Sequence, residues 1–254
     1  MKEKIKKIIK KLVEWIIQKE CSISVKFASM AHKQLKWIQW RVPPQPEHFD
    51  HNIDLFYQWL KTRNSLWLER GVFGSLTLKN MGNTLDLACG DGFNSRNFYS
   101  LRSKSVTACD FDPKAIETAK AKNSAPNITY VLTDIRNNLP KGKFDNVFWD
   151  AAIEHFTLEE INSILTEIKK IMNEDGIISG YTIVEKKTGH KSLSHHEYEF
   201  KSKEDLLKII KPYFKNVFVF ETTFPNNHNL YFWAGDGILP MFPNWTHSVI
   251  STEK

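Results

Sequence analysis

Leu85-Asp86-Leu87-Ala88-Cys89-Gly90-Asp91-Gly92-Phe93 is the run from which the fold can be read. Its apolar start has the pattern of a strand, and GFNSRNFYSL, residues 92–101, has the pattern of the helix that follows. Gly90 and Gly92 are placed for a tight turn and for a ligand to lie against bare backbone, with a helix N-terminus behind it. Toward the C-terminus the rhythm repeats. TLDLAC, SVTACD, NITYVL, FDNVFWD and GIISGYTIV read as strands, and PKAIETAKAK, TLEEINSILTEIKKIM and KSKEDLLKIIKPYF as helices between them. Strict alternation of this kind predicts a doubly wound sheet. NVFVFET and HNLYFWAG then follow too closely for a crossover helix, so they form a hairpin in which one strand runs antiparallel to the rest.

Toward the N-terminus the chain changes character. Ile5, Ile8, Ile9, Leu12, Val13, Ile16 and Ile17 recur at helical spacing, with Lys6, Lys7, Lys10 and Lys11 opposite them. A second helix is expected over 21–41, ended by Val42-Pro43-Pro44-Gln45-Pro46 because proline cannot donate a helix hydrogen bond. The aromatic segment from Phe49 to about Leu78 is mostly helical in pattern, and its His48, Asp50, His51, Tyr57 and Trp59 are candidates for a lid. The expected fold class is α/β: a Rossmann-like doubly wound sheet of about seven strands with an antiparallel terminal hairpin, plus an N-terminal helical extension. The expected domains are 1–78, extension and lid, and 79–254, the sheet.

The 254 residues carry 35 Lys and Arg against 29 Asp and Glu, a net charge of +6. Seven Lys and three Glu in the first twenty residues supply most of that surplus. The near-neutral body argues against a nucleic-acid partner, which would call for a basic recognition face. The basic amphipathic N-terminus is expected to pack on the main domain or on a second copy in a homodimer; the alternative is an anionic membrane surface. Three cysteines without C-x-x-C spacing read as reduced thiols, and the lysine-interrupted start lacks a continuous apolar segment, so a cytoplasmic place is expected, with the inner membrane face as the alternative.

A lone G-x-G is weak evidence, but here an acid, Asp86, stands four residues upstream, and Asp110 ends the next strand, where adenosine cofactors are bound through their ribose. With these residues in place, the chain resembles the class I S-adenosylmethionine-dependent methyltransferases. The match runs through Asp86, Ala88, Gly90 and Gly92, then Asp110-Phe111-Asp112-Pro113, Thr133-Asp134-Ile135 and Trp149-Asp150-Ala151-Ala152-Ile153-Glu154-His155, over about residues 80 to 235. Ala88 departs from the family's first glycine. The resemblance implies S-adenosyl-L-methionine as cofactor. Gly90 and Gly92 would line its methionine and ribose, Asp110 would bond the ribose hydroxyls, and Phe111 would pack on the adenine. Asp134 would accept from the adenine amino group beside the backbone of Ile135. Asp86 would orient the loop or reach the methionine ammonium, Asp150 would meet the methionine end, and Arg70 the cofactor carboxylate. A dinucleotide is the competing ligand, but Ser95 stands where its fingerprint needs a third glycine, and Asp91 would repel a pyrophosphate.

For a hydroxyl acceptor the protein must hold donor and acceptor in line and remove a proton. His155, after the fourth strand, is the first candidate base. His190, His195, His196, Glu197 and Tyr198 follow the fifth strand at the crevice edge and are acceptor-side candidates. His195-His196-Glu197 with Glu154 would also make a divalent-metal set, but adjacent histidines lack helical spacing and no metal is expected. Motifs for base amino-group, cytosine-carbon and protein-arginine methylation are missing from the positions where the family carries them. WDAAIEHF, EYEFKSKEDL and HNLYFWA look like a bacterial subgroup associated with surface-polysaccharide and natural-product modification. The expected acceptor is therefore a sugar or sugar-bearing small molecule, with Trp149, Tyr198, Tyr231 and Trp233 as candidate stacking groups. The alternatives are a lipid acceptor at a membrane and a non-enzymatic interaction protein that retains the fold.

Overall fold

The computed structural model describes residues 2–41, 65–185, 195–224 and 227–241. The chain divides into two compact units, Met1–Ser65 and Leu66–Lys254. In the first, one uninterrupted helix, α1, runs Lys2–Arg41, where the sequence predicted two. No Gly or Pro occurs between residues 2 and 41 to break it, and Ser22 Oγ donates to the Gln18 carbonyl (2.8 Å) instead of competing for a turn. Its Ile5, Ile8, Ile9, Leu12, Val13, Ile16 and Ile17 are all exposed. The proline turn and the lid candidates His48, Asp50, His51, Tyr57 and Trp59 lie outside the described residues, as does His190.

The second unit begins with α2 (Leu66–Thr77), then β1 (Asn83–Leu87), α3 (Phe93–Asn97), β2 (Ser105–Asp110), α4 (Pro113–Lys122), β3 (Ile128–Leu132) and β4 (Phe144–Asp150). After β4 come α5 (Leu158–Ile171), β5 (Met172–Ile183), α6 (Lys203–Ile210), β6 (Asn216–Phe224) and β7 (Asn227–Gly235). The seven strands lie in the order β3-β2-β1-β4-β5-β7-β6. β7 pairs antiparallel with both neighbours, and every other pairing is parallel, as the short β6–β7 connection requires. The order reverses between β1 and β4, the position at which an α/β sheet opens a ligand crevice at its carboxyl edge.

Period-two alternation divides the core between the sheet faces. Leu85, Leu87, Val147, Trp149, Leu230 and Phe232 join Ile161, Ile164, Leu165 and Ile168 of α5 and Leu206 and Ile210 of α6. Val106, Ala108 and Phe148 join Tyr99, Ile116 and Ala119 in a second cluster. Each fully buried aliphatic side chain contributes about 2 kcal/mol. Trp149, Tyr231 and Trp233 are at most 2% exposed, so these candidate sugar-stacking rings are core residues. Tyr198 is half-buried, with its hydroxyl donating to Asp205 (3.0 Å).

α2 belongs to the compact sheet unit, which begins at Leu66. Phe73 of α2 packs edge-on against Tyr231 (4.9 Å) and Phe220 (5.1 Å).

Candidate active site

At the end of β1 the chain turns sharply: Ala88 (φ 54°), Gly90 (φ 54°) and Gly92 (φ 74°) are all left-handed. A Cβ on Gly92 would lie 2.3 Å from Tyr130 Oη, so only glycine fits there. At Gly90 a Cβ would meet nothing within 4 Å; the backbone is open on that side. Cys89 N donates to the Cys109 carbonyl (2.9 Å), and the Asp110 carboxylate accepts from Gly90 N (2.9 Å) and Asp112 N (2.9 Å). Asp110 therefore ties the glycine turn to the end of β2. Burial raises its pKa, which these backbone donors partly offset. Phe111 follows it with 69% of its surface exposed, an unusual position for a phenylalanine and one suited to a planar ring.

Asp91 Oδ1 accepts from Phe93 N (3.0 Å), placing a carboxylate where a pyrophosphate would have to sit. Ser95, at the third-glycine position of a dinucleotide fingerprint, is buried and donates to Asp86 (2.5 Å). Burial pushes Asp86 up to about 7; the charge of Asp150 adds to this, while Ser95 and Arg70 oppose it.

Asp150 ends β4 with three donors on one oxygen: Arg70 Nε (2.7 Å), Arg70 Nη2 (2.6 Å) and Asn94 Nδ2 (2.9 Å). Arg70 also lies over the rings of Trp67 (4.5 Å) and Tyr181 (5.1 Å). Arg70, expected to meet a cofactor carboxylate, pairs here with Asp150. Asn94 Oδ1 is buried without a hydrogen-bond partner. No sequence motif marked Asn94. Beside two buried carboxyls, an unpartnered amide oxygen suits an ammonium donor.

After β3, Asp134 is held in a fork by Arg136 Nε (3.0 Å) and Nη2 (2.7 Å), whose hydrogen bonds keep it below the usual carboxylate range. Ile135 is buried in the core beside it. Asp145, within β4, accepts from Asn83 N (2.8 Å) and Asn173 Nδ2 (2.8 Å) of the neighbouring strands. Burial pushes the Cys109 thiol up to about 12 and Cys89 well above its usual value, so both are packing residues and not thiolate nucleophiles.

Beyond β4, Ala151 is again left-handed (φ 54°), and a single 3-10 turn covers Ile153–His155. Two backbone amides from the other side of the crevice, Glu197 N (2.8 Å) and Tyr198 N (3.1 Å), donate to the Glu154 carbonyl. The Glu154 carboxyl is buried, accepts from Thr182 Oγ1 (3.0 Å) and is pushed up to about 7 by burial. This clamp brings three histidines together. The His155 ring stacks on His195 (centroids 4.7 Å apart) and meets His196 edge-on (5.1 Å). His155 Nδ1 faces the His195 carbonyl (3.3 Å), and His196 Nδ1 faces Glu199 Oε1 (3.0 Å). Burial lowers the pKa of all three imidazoles, favouring their neutral form at pH 7. The sequence placed His195 and His196 with Glu197 and Glu154; the structure substitutes His155 for both carboxylates, because Glu154 turns inward to Thr182.

Part of the chain resembles known proteins. Residues 84–176 match the family model described as a methyltransferase domain. Malonyl-[acyl-carrier protein] O-methyltransferase 1 of Ilyobacter polytropus is 32% identical over 89 residues, 34% of this chain and 32% of that protein. The physcion biosynthesis cluster O-methyltransferase of Aspergillus chevalieri is 29% identical over 117 residues, 44% of this chain and 53% of that protein. The chain thus spans about a third to a half of the length of these relatives. The DhpI–SAH complex superposes with a TM-score of 0.55 at 18% identity, covering 72% of this chain and 92% of that one. The sheet unit thus shares the fold of methyltransferases of known structure, and residues 84–176 resemble a methyltransferase domain.

Proposed function

We propose that the protein is an O-methyltransferase that uses S-adenosyl-L-methionine to methylate a hydroxyl of a sugar or sugar-bearing small molecule. The observation that carries this reading is the pairing of two features at one sheet edge: an acid-lined glycine turn with open backbone at Gly90, and a cluster of neutral histidines clamped against the end of β4. The residues present fit the cofactor. Gly90 leaves room against its backbone, Asp110 has acceptor capacity for ribose hydroxyls, Phe111 offers a free ring to adenine, and Asn94 Oδ1 with Asp86 awaits an ammonium. When bound, the cofactor supplies an electrophilic methyl group on a sulfonium. The protein's own task is then orientation and proton removal. Arg70 fixes Asp150 and, through it, Asn94 at the methionine end. Asp134 and Ile135 border the adenine side. On the acceptor side, with Nδ1 donating to the His195 carbonyl, His155 keeps an Nε2 lone pair to take the hydroxyl proton, and His195 and His196 complete that wall.

A second reading places the acceptor in a lipid. It is favoured by α1, whose exposed isoleucines and lysines suit an anionic surface. No described helix is long and apolar enough to cross a membrane, so contact would be peripheral.

Calorimetry with S-adenosylmethionine, S-adenosylhomocysteine and NAD tests the reading. Binding of the two sulfur compounds, weakened about 10- to 100-fold in Asp110→Ala by loss of a charged hydrogen-bond partner, is expected. Binding of NAD alone, or of neither sulfur compound, would overturn it. His155→Ala should leave that affinity unchanged while lowering turnover by about 10²- to 10⁴-fold.

A further inference from the structure

The geometry points to a metal site: we infer that His155, His195 and His196 bind one divalent d-block cation of the zinc type. One ring nitrogen from each lies within 4.8 Å of the others, and no such group of three or more His, Cys, Asp or Glu occurs elsewhere among the described residues. Three imidazoles with an open fourth position are a recurrent ligand set for catalytic zinc, and borderline-soft nitrogen ligands select zinc, cobalt or nickel over magnesium or calcium.

The surroundings of the rings carry the inference further than their proximity. In metal sites the nitrogen that does not bind the ion donates to a carboxylate or a backbone carbonyl, which fixes tautomer and ring orientation. Two of the three histidines have that partner. His196 Nδ1 is 3.0 Å from Glu199 Oε1 and His155 Nδ1 is 3.3 Å from the His195 carbonyl, so both direct Nε2 away from their supporting group. His196 is 1% exposed, and the amides of Glu197 and Tyr198 lock its segment onto the Glu154 carbonyl. Tetrahedral ligation with Zn–N near 2.0–2.1 Å sets nitrogens about 3.3 Å apart, so closure by up to about 1.5 Å completes the set. Rotation of His195, the most exposed of the three, supplies that movement.

A cation here would stand at the acceptor side of the crevice. Its open position takes a hydroxyl oxygen of the acceptor and lowers its pKa, the proton passing to solvent. That role rests on the methyltransferase reading and, because Nε2 of His155 then holds the ion, takes the place of His155 as the base; the binding itself rests on the histidines alone.

The test uses the full chain, free of any affinity tag and stripped with chelator. Zinc is titrated against a chromophoric competitor, and cobalt is followed by its visible d–d absorption. One ion per chain is expected, with tetrahedral-type cobalt bands. His155→Ala and His196→Ala should weaken binding at least about 100-fold. Glu199→Gln, which leaves every ligand in place, should weaken it about 10- to 100-fold. His228→Ala, whose ring pairs with Glu221 on the β6–β7 hairpin, should leave it unchanged. Should His196→Ala fail to fold, His155→Ala and Glu199→Gln decide the matter. Zinc affinity insensitive to those two substitutions, or a stoichiometry well below one, would overturn the site. Metal binding that persists in a protein unable to bind S-adenosylmethionine would support the site and overturn the methyltransferase reading instead.

Discussion

Asp86 shows how one buried carboxyl links site chemistry to stability. Its native pKa is raised to about 7, whereas in the unfolded chain it titrates near 4. Between those values the native state holds a proton that the unfolded state has lost, so this group's stabilisation is complete below about pH 4 and is lost as pH rises through about 7. Each such proton gives a slope of up to about 1.4 kcal/mol per pH unit. Glu154, also raised to about 7, acts with the same sign. Urea unfolding between pH 4.5 and 7.5 should therefore show Asp86→Asn gaining on the wild type as pH rises; a constant difference would refute the assignment. Ala88 offers a second check. It occupies a left-handed conformation that an L side chain adopts at a cost of about 1–2 kcal/mol. Ala88→Gly should raise stability by up to about 1 kcal/mol in the same assay, whereas Gly92→Ala should lower it, because a Cβ there meets Tyr130 Oη.

At the scale of elements, α5 is held by both its end and its stripe. Thr157 Oγ1 accepts from Glu160 N (3.3 Å) while Glu160 Oε2 accepts from Thr157 N (2.9 Å), a capping box that satisfies amides the helix leaves open. Its buried stripe of Ile161, Ile164, Leu165 and Ile168 faces the sheet. Chemical denaturation should find Thr157→Ala costing about 1 kcal/mol and Leu165→Ala about 2–5 kcal/mol, since the second leaves a cavity in a close-packed layer. Elements of this kind were legible in the sequence because burial on one face imposes a period, and the β6–β7 hairpin followed from a connection too short to cross the sheet. The glycine turn and Asp110 were legible for a similar reason: turn and strand-end positions are fixed by local chain geometry. The sequence divides the long α1 before residue 21, where nothing in fact breaks a helix. The Arg70–Asp150 pair, the unpartnered Asn94 amide oxygen and the Glu199 support of His196 were not legible, since each depends on contacts that only the folded sheet brings together. The histidine cluster lay between these cases. Its members were named, but their meeting required Glu154 to turn inward and offer its carbonyl to residues 197 and 198.

For the whole molecule, the open question is what the basic helix does for the sheet unit. α1 extends for 40 residues, and its exposed Ile5, Ile8, Ile9, Leu12, Ile16 and Ile17 form an apolar surface beside a run of lysines. Burying several such side chains in an interface gains about 2 kcal/mol each, and each lysine near an anionic surface adds about 1 kcal/mol, so the pattern can sustain peripheral attachment without any spanning segment. The same apolar surface in a dimer would gain only the first contribution, because the lysines of two copies repel. Sedimentation with vesicles separates the two. If α1 seeks lipid, the protein should bind vesicles containing anionic phospholipid but not purely zwitterionic ones, binding should fall steeply between low and high salt, and Leu12→Glu with Ile16→Glu should abolish it while leaving S-adenosylmethionine affinity unchanged. If α1 pairs with a second copy, the same two substitutions should instead halve the mass measured by analytical ultracentrifugation, and vesicle composition should make no difference. The lipid outcome would direct the search for the acceptor to membrane-bound sugars and lipids, and the dimer outcome to freely diffusing ones.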